Sequence, residues 1–144
     1  MDGLVIRLAT LDDAAAVAGL AAQLGYGVSE SEAAARLEML FRHADHAVYV
    51  AALGEEVVGW IHLYVDYTLM DEPLVAFGGL VVDAGHRGQG IGRQLVAQAE
   101  VWGRAQGCAA VYLKTNVTRH AAHAFYEGLG YSRVKTQYAY RKAL

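Results

Sequence analysis

Val75-Ala76-Phe77-Gly78-Gly79-Leu80-Val81-Val82-Asp83-Ala84-Gly85-His86-Arg87-Gly88-Gln89-Gly90-Ile91-Gly92 passes from an apolar run into a glycine-rich loop, and an amphipathic stretch, Arg93 to Gln106, follows at once. The apolar run reads as a strand, the glycines as a loop, and the residues beyond as the start of a helix. Such a junction offers backbone N–H groups without intrahelical acceptors, together with the positive end of a helix dipole, and so suits a phosphorylated ligand. A plain strand–helix connection has little need of Gly88, Gly90 and Gly92 in so short a span.

Outward from this junction, residues 4–9 read as a short strand, and Thr10-Leu11-Asp12-Asp13 as a helix cap with acids in the first turn. Val17, Leu20, Ala21 and Leu24 then recur at helical spacing, and Gly25-Tyr26-Gly27 ends that helix. Ser29 or Ser31 can cap a second helix with Ala33, Leu37, Leu40 and Phe41 on one face. Residues 47–53 and 57–65 read as strands joined across Gly54-Glu55-Glu56, and residues 74–82 as a third. Beyond the long helix, Ala109 to Lys114 is expected as a strand, Arg119 to Leu129 as a short helix, and residues 131–136 and 137–142 as a closing pair of strands. The expected order is β-α-α-β-β-β-α-β-α-β-β, a mixed α/β (α+β) sheet, with the 74–114 unit a parallel crossover. The 144 residues suit one domain, 1–144, with a sizeable core.

Bulk properties exclude several classes. Hydrophobic residues make up 55% of the chain, yet no apolar run approaches the roughly 20 residues that span a bilayer. Met1-Asp2-Gly3-Leu4 lacks the basic flank and long apolar core of a secretory signal, and the single Cys108 cannot form an internal disulfide. A cytoplasmic location without membrane association is the expectation. Net charge is −3, distributed as −9 over residues 1–72 and +6 over residues 73–144. A polyanion is therefore expected to favour the half that holds the glycine loop, and a cation the other. The acidic total, without a basic stripe interleaved with aromatics, argues against nucleic acid.

The glycine loop admits three readings. A Walker loop needs Gly-Lys followed by Ser or Thr, which is missing here. A dinucleotide fingerprint starts at Gly88-Gln89-Gly90, but position 93 is arginine and no acid follows at the expected strand end. The third pattern is Arg-x-x-Gly-x-Gly, here Arg87, Gly90 and Gly92. With the later segment Ala122-His123-Ala124-Phe125-Tyr126-Glu127-Gly128-Leu129-Gly130-Tyr131, in this order and with these elements around it, the chain resembles the GNAT N-acetyltransferase superfamily over nearly its whole length.

The resemblance implies acetyl-CoA as co-substrate, with its pyrophosphate held by the backbone of Arg87, Gly88, Gln89, Gly90, Ile91 and Gly92. It also implies that Gly79, Leu80, Val81 and Val82 pair with the pantetheine arm where this strand splays from the next parallel one, since an extended amide chain can mimic a strand. Gly78-Gly79 marks a bulge or a close backbone approach. Tyr126 stands where relatives carry the general acid, and a phenol of reference pKa about 10 keeps its proton at neutral pH for a departing thiolate. The sequence departs from the family twice. The Leu74–Val82 strand lacks the glutamate many relatives use as base, leaving His62 as first candidate and Asp66, Asp71, Glu72, His123 or no dedicated base as alternatives. Where relatives often carry an asparagine, seven residues before the tyrosine, this chain has Arg119; Asn116 can still serve the pantetheine amide.

The expected activity is transfer of an acetyl group to a primary amine, small molecule or peptide, by direct transfer in a ternary complex. Tyr26, Tyr64 and Tyr67, with Met70 and the carboxylates Asp66, Asp71 and Glu72, suit a cationic acceptor. Polyamines, amino acids, aminoglycosides and protein amines all remain open. Two other readings stand beside this one: a catalytically silent CoA-binding sensor, raised by the missing glutamate, and a nucleotide-binding domain. His43 with His46, and His120 with His123, share a metal-like spacing but lack an obvious third ligand, so no metal is expected. A homodimer is an expectation by analogy.

Overall fold

The alternating segments around Gly54 form the middle of an antiparallel sheet, in the computed structural model that describes Gly3 to Leu144. Strands β1 (Leu4–Leu8), β2 (His46–Leu53), β3 (Glu56–Asp66), β4 (Leu74–Val82) and β5 (Ala110–Val111) lie side by side in that order. The first four run antiparallel, and β5 runs parallel to β4. Helices α1 (Ala14–Gln23) and α2 (Glu30–Phe41) connect β1 to β2, α3 (Ile91–Ala105) connects β4 to β5, and α4 (His120–Gly128) follows. The chain divides into two compact units, Met1–Leu113 and Lys114–Leu144.

Both faces of the sheet in the first unit are covered. Ile91, Leu95, Ala99 and Trp102 recur at helical spacing on α3 and bury against Val58, Ile61, Leu63, Val65 and Val75. Each such leucine or isoleucine side chain, removed from water, contributes roughly 1.5–3 kcal/mol. The other face packs Ala14 and Ala18 of α1 and Ala33 and Leu37 of α2 on Val48 and Val50. Of the two expected caps for α2 the structure uses Ser29: its Oγ accepts from Glu32 N–H (3.1 Å), while Glu32 Oε1 accepts from Ser29 N–H (3.0 Å).

Asp13 ties the first strand to the first helix. It is buried, and its carboxylate accepts two hydrogen bonds from the Arg7 guanidinium (2.8 and 2.9 Å) and one from Thr10 N–H (2.8 Å). The Arg7 bond holds its pKa below the usual 3.8, against the opposing effect of burial.

Two expectations are corrected. The strand expected over 109–114 shortens to Ala110–Val111. Residues 131–144 contain neither helix nor strand, so the closing pair expected over 131–136 and 137–142 does not form, and residues 132–144 are exposed. No turn signal separates those two segments, and two strands without a further partner are at best marginally stable. The fold class itself, a mixed sheet with a parallel β4–β5 pair, is as expected. Among the described residues no helix is long and apolar enough to cross a membrane.

Replacing Asp13 by Asn is expected to lower unfolding free energy at pH 7 by about 2 kcal/mol, the order of charge-assisted hydrogen bonds to a buried carboxylate. Because the folded-state pKa lies below 3.8, the unfolded chain takes up this proton first. The contribution is therefore present above that value and lost as pH falls through the folded one. Urea unfolding of parent and variant at pH 7 and below pH 4 checks both parts.

Candidate active site

The parallel ladder between β4 and β5 is short. It registers Leu74 with Ala110 and Val75 with Val111, and ends with Tyr112 N–H donating to the Val75 carbonyl (2.8 Å). β4 runs on to Val82 with β3 still beside it, so the two parallel strands part, as expected, after two register pairs. Leu80 and Val82 turn their side chains partly into the core and Val81 is buried. The backbone is thus what these three positions can offer to an extended ligand.

On the opposite edge β4 is irregular. His62 registers with Gly79 and Leu63 with Phe77, which leaves Gly78 as the bulged residue. A Cβ at Gly78 would collide with the imidazole of His62, its Nδ1 first, and one at Gly79 would come within 2.9 Å of the Trp60 ring. The two glycines are therefore demanded by these side chains, which occupy the space a Cβ would fill.

At the end of β4 the chain turns through Asp83 and a short 3₁₀ turn, Ala84–His86, into the glycine loop. Asp83 is the only acid between residues 73 and 99, and its carboxylate is fully engaged. It accepts from Gln23 Nε2 (2.8 Å) and from Gly85 N–H (3.2 Å), and lies 2.8 Å from His86 Nδ1. The Gln23 bond first, then His86, lowers its pKa. Gln23 also accepts from Ala84 N–H (2.9 Å), so the end of α1 is tied twice to the start of the loop.

Arg87, Gly88, Gln89 and Gly90 are exposed, whereas the Ile91 side chain is buried and anchors α3. Gly88 (φ +77°) and Gly90 (φ +81°) adopt left-handed backbone, and a Cβ at either would meet nothing within 4 Å. Conformation, with open space beside it, is what requires glycine here. The first bond of α3 runs from Gln94 N–H to the Gly90 carbonyl (3.1 Å), so the N–H groups of Ile91, Gly92 and Arg93 have no intrahelical acceptor. These N–H donors, the dipole of a 15-residue helix, and the cations Arg87 and Arg93 form a donor set that fits a diphosphate.

His62 lies on the sheet face opposite α3. Its Nε2 is 3.0 Å from His46 Nδ1, the two rings stack at 5.2 Å, and Tyr64 stacks on His46 at 5.4 Å. Burial, with the neighbouring His46 adding to it, lowers the His62 pKa from 6.5 to about 4, so the imidazole is neutral at neutral pH. The structure thus brings His62 and Tyr64 together, while Tyr26 and Tyr67 stand exposed on loops. The alternative bases Asp71 and Glu72 are exposed, and Asp71 accepts from Glu72 N–H (2.8 Å). Among the described residues no group of three or more His, Cys, Asp or Glu is placed to hold a metal ion.

In the second unit, Tyr126 lies on α4 between the rings of Phe125 (5.0 Å) and Tyr131 (6.0 Å). Burial raises its phenol above the usual value, with Arg119 opposing, so it stays protonated at neutral pH. The Asn116 carboxamide oxygen accepts from Thr118 N–H (2.9 Å) and Oγ1–H (2.7 Å), and His123 Nε2 donates to the Asn116 carbonyl (2.9 Å).

Two residues escaped the reading of the sequence. His46 showed only a spacing to His43, and Gln23 showed no signal, because its partner Asp83 is 60 residues away.

The sequence profile of the acetyltransferase (GNAT) family matches residues 12–131. The chain is 31% identical over 144 residues to an aminoglycoside N(6')-acetyltransferase type 1 of Stenotrophomonas maltophilia, covering 96% of this chain and 93% of that protein. It is 38% identical over 96 residues to the aminoalkylphosphonate N-acetyltransferase of Salmonella typhimurium, a match that takes in 66% of this chain and only 61% of that protein. Among solved structures, the aminoglycoside N-acetyltransferase AAC(6')-Iy in complex with CoA superposes with a TM-score of 0.87 at 23% identity, over 98% of this chain and 95% of that one. Glucosamine-6-phosphate N-acetyltransferase of Arabidopsis thaliana superposes at 0.83 with 22% identity, over 96% and 97%. The glycine loop, the parting of β4 from β5 and a family match over most of the length lead to one assignment: the chain belongs to the acetyltransferase (GNAT) family, enzymes whose co-substrate is acetyl-CoA.

Proposed function

We propose that this chain, acting as one domain over residues 1–144, moves the acetyl group of acetyl-CoA to the primary amine of a cationic small molecule by direct transfer in a ternary complex. The observation that carries the reading is the placement of a neutral imidazole, His62, against the bulge of β4, the strand whose other edge β5 leaves after two register pairs. The exposed backbone from Arg87 to Gly90, with the first N–H groups of α3, holds the diphosphate. The backbone of Leu80, Val81 and Val82 pairs with the pantetheine amides, and Asn116 offers its carboxamide N–H to them.

His62 takes the proton of the attacking amine. An imidazole of pKa about 4 is a weak base, but the amine nitrogen grows more acidic as it bonds to the carbonyl carbon, and the transfer becomes favourable as the thiolate departs and that nitrogen becomes an amide's. Tyr126 supplies the proton that the departing thiolate needs, and its raised pKa keeps that proton in place until then. Support for a cationic acceptor comes from the acid-rich first half of the chain, from Tyr26, Tyr64 and Tyr67, and from the near full-length similarity to an aminoglycoside acetyltransferase. A panel of neamine, spermidine, 2-aminoethylphosphonate, glucosamine-6-phosphate and a short peptide with a free N-terminus, read by CoA release, tests the acceptor. Fastest turnover with neamine or spermidine supports the reading, and preference for either phosphorylated amine overturns it.

Tyr126→Phe and His62→Phe are each expected to lower kcat by about 10²-fold, the scale of a positioned acid or base, with acetyl-CoA affinity within about twofold of the parent. Steady-state kinetics and calorimetric acetyl-CoA titration check this. Gly78→Ala presses a methyl into the space that the His62 imidazole fills, so the ring must be displaced. The expected result is a loss of roughly 1–3 kcal/mol in stability by overpacking and a fall of about tenfold in kcat. Thermal unfolding and kinetics on the same preparation measure both.

A further inference from the structure

We infer that His46 is a positioning residue that accepts the Nε2–H of His62 and so holds the Nδ1 lone pair of His62 toward the β4 bulge; this rests on the reading of His62 as the base. A neutral imidazole carries one N–H, and only one proton can lie between two facing nitrogens 3.0 Å apart. If His46 donated that proton, His62 would carry its own on Nδ1, the nitrogen that faces Gly78, and would have no lone pair there to receive a proton. If His62 donates it, Nδ1 is the free base. The geometry therefore makes His46 the selector of the tautomer.

The ring of His46 is held for this role. Tyr64 stacks on it at 5.4 Å, His43 lies at 5.9 Å, and its backbone N–H donates to the His43 carbonyl (3.1 Å). When His62 takes the amine proton at Nδ1, the bond from its Nε2–H to His46 Nδ1 becomes charge-assisted and stabilises the imidazolium. The proton then leaves from Nδ1 to water, which restores the Nε2–H tautomer of His62 with His46 Nδ1 still accepting from it. No atom or charge is gained overall.

Few other titratable groups can substitute. From β3 the neighbour is Tyr64, and from the turn before β2 it is His43. On β4 the facing positions are Gly78 and Gly79, and α1 carries no titratable side chain. The charges Glu32, Arg36 and Glu38 of α2 stand in exposed pairs, Glu32 with Arg36 and Glu38 with Arg42.

The test has two arms. Long-range ¹H–¹⁵N correlation spectra of the ¹⁵N-histidine-labelled protein at pH 7, with His62→Gln and His46→Asn for assignment, should show His62 protonated at Nε2. A proton on Nδ1 overturns the proposal. Kinetics use the amine turned over fastest in the panel above. His46→Leu should lower kcat about tenfold with KM for acetyl-CoA within about twofold, whereas His46→Asn, whose carboxamide oxygen can accept the same hydrogen, should keep at least half of the parent kcat. Leu at parental rate, or Asn no better than Leu, overturns the role of His46 while a slow His62→Phe leaves the base in place. Parental turnover by His62→Phe overturns the base reading and this role with it.

Discussion

The unequal pairing of β4 is the constraint on which the first unit depends. On one side it runs beside β3 along its whole length, from Asp66 with Leu74 to Gly59 with Val82. On the other, β5 accompanies it for two residues only. A strand anchored on one edge and released on the other keeps its shape while leaving main-chain groups for an extended amide ligand, which answers hydrogen bonds in the way a strand does. The α3 face makes this tolerable, because Ile91, Leu95 and Ala99 bury against the same sheet and hold β4 without help from β5.

The same strand organises the packing on its paired edge. The Gly78 bulge and the absent Cβ at Gly79 make room for His62 and Trp60, and Trp60 in turn donates from Nε1 to the Val17 carbonyl of α1 (3.2 Å). Burial keeps the imidazole neutral without any carboxylate beside it. The stretch Leu74–Val82 holds no acid, and the neutral imidazole beside it stands on the neighbouring strand. At the far end, Gln23 links α1 to Asp83 and Ala84, so the end of α1 and the start of the glycine loop share one anchor.

Much of this was legible because it is local. The Ser29–Glu32 capping pair spans three residues, the glycines of the loop declare their left-handed backbone, and the β2–β3 hairpin alternates around its turn. The misses have a common cause as well. Residues 131–142 have strand-like composition, yet a strand exists only by pairing, and no pattern within the segment states whether a partner is present. Asp83 and Gln23 meet across 60 residues of chain, and His46 meets His62 across 16, through a diagonal of two strands.

By itself the sequence determined the element order up to α4, the helix caps, the glycine loop before α3 and the family, since each rests on backbone preference or on apolar period within a dozen or so residues. Only the tertiary structure decided that β5 stops after Val111, that Gly78 is the bulged residue, and that His46 stands against His62. Those outcomes depend on register and on which side chains share a face, and such contacts are selected by packing between distant segments, where the identity of one residue carries no information about its neighbour in space.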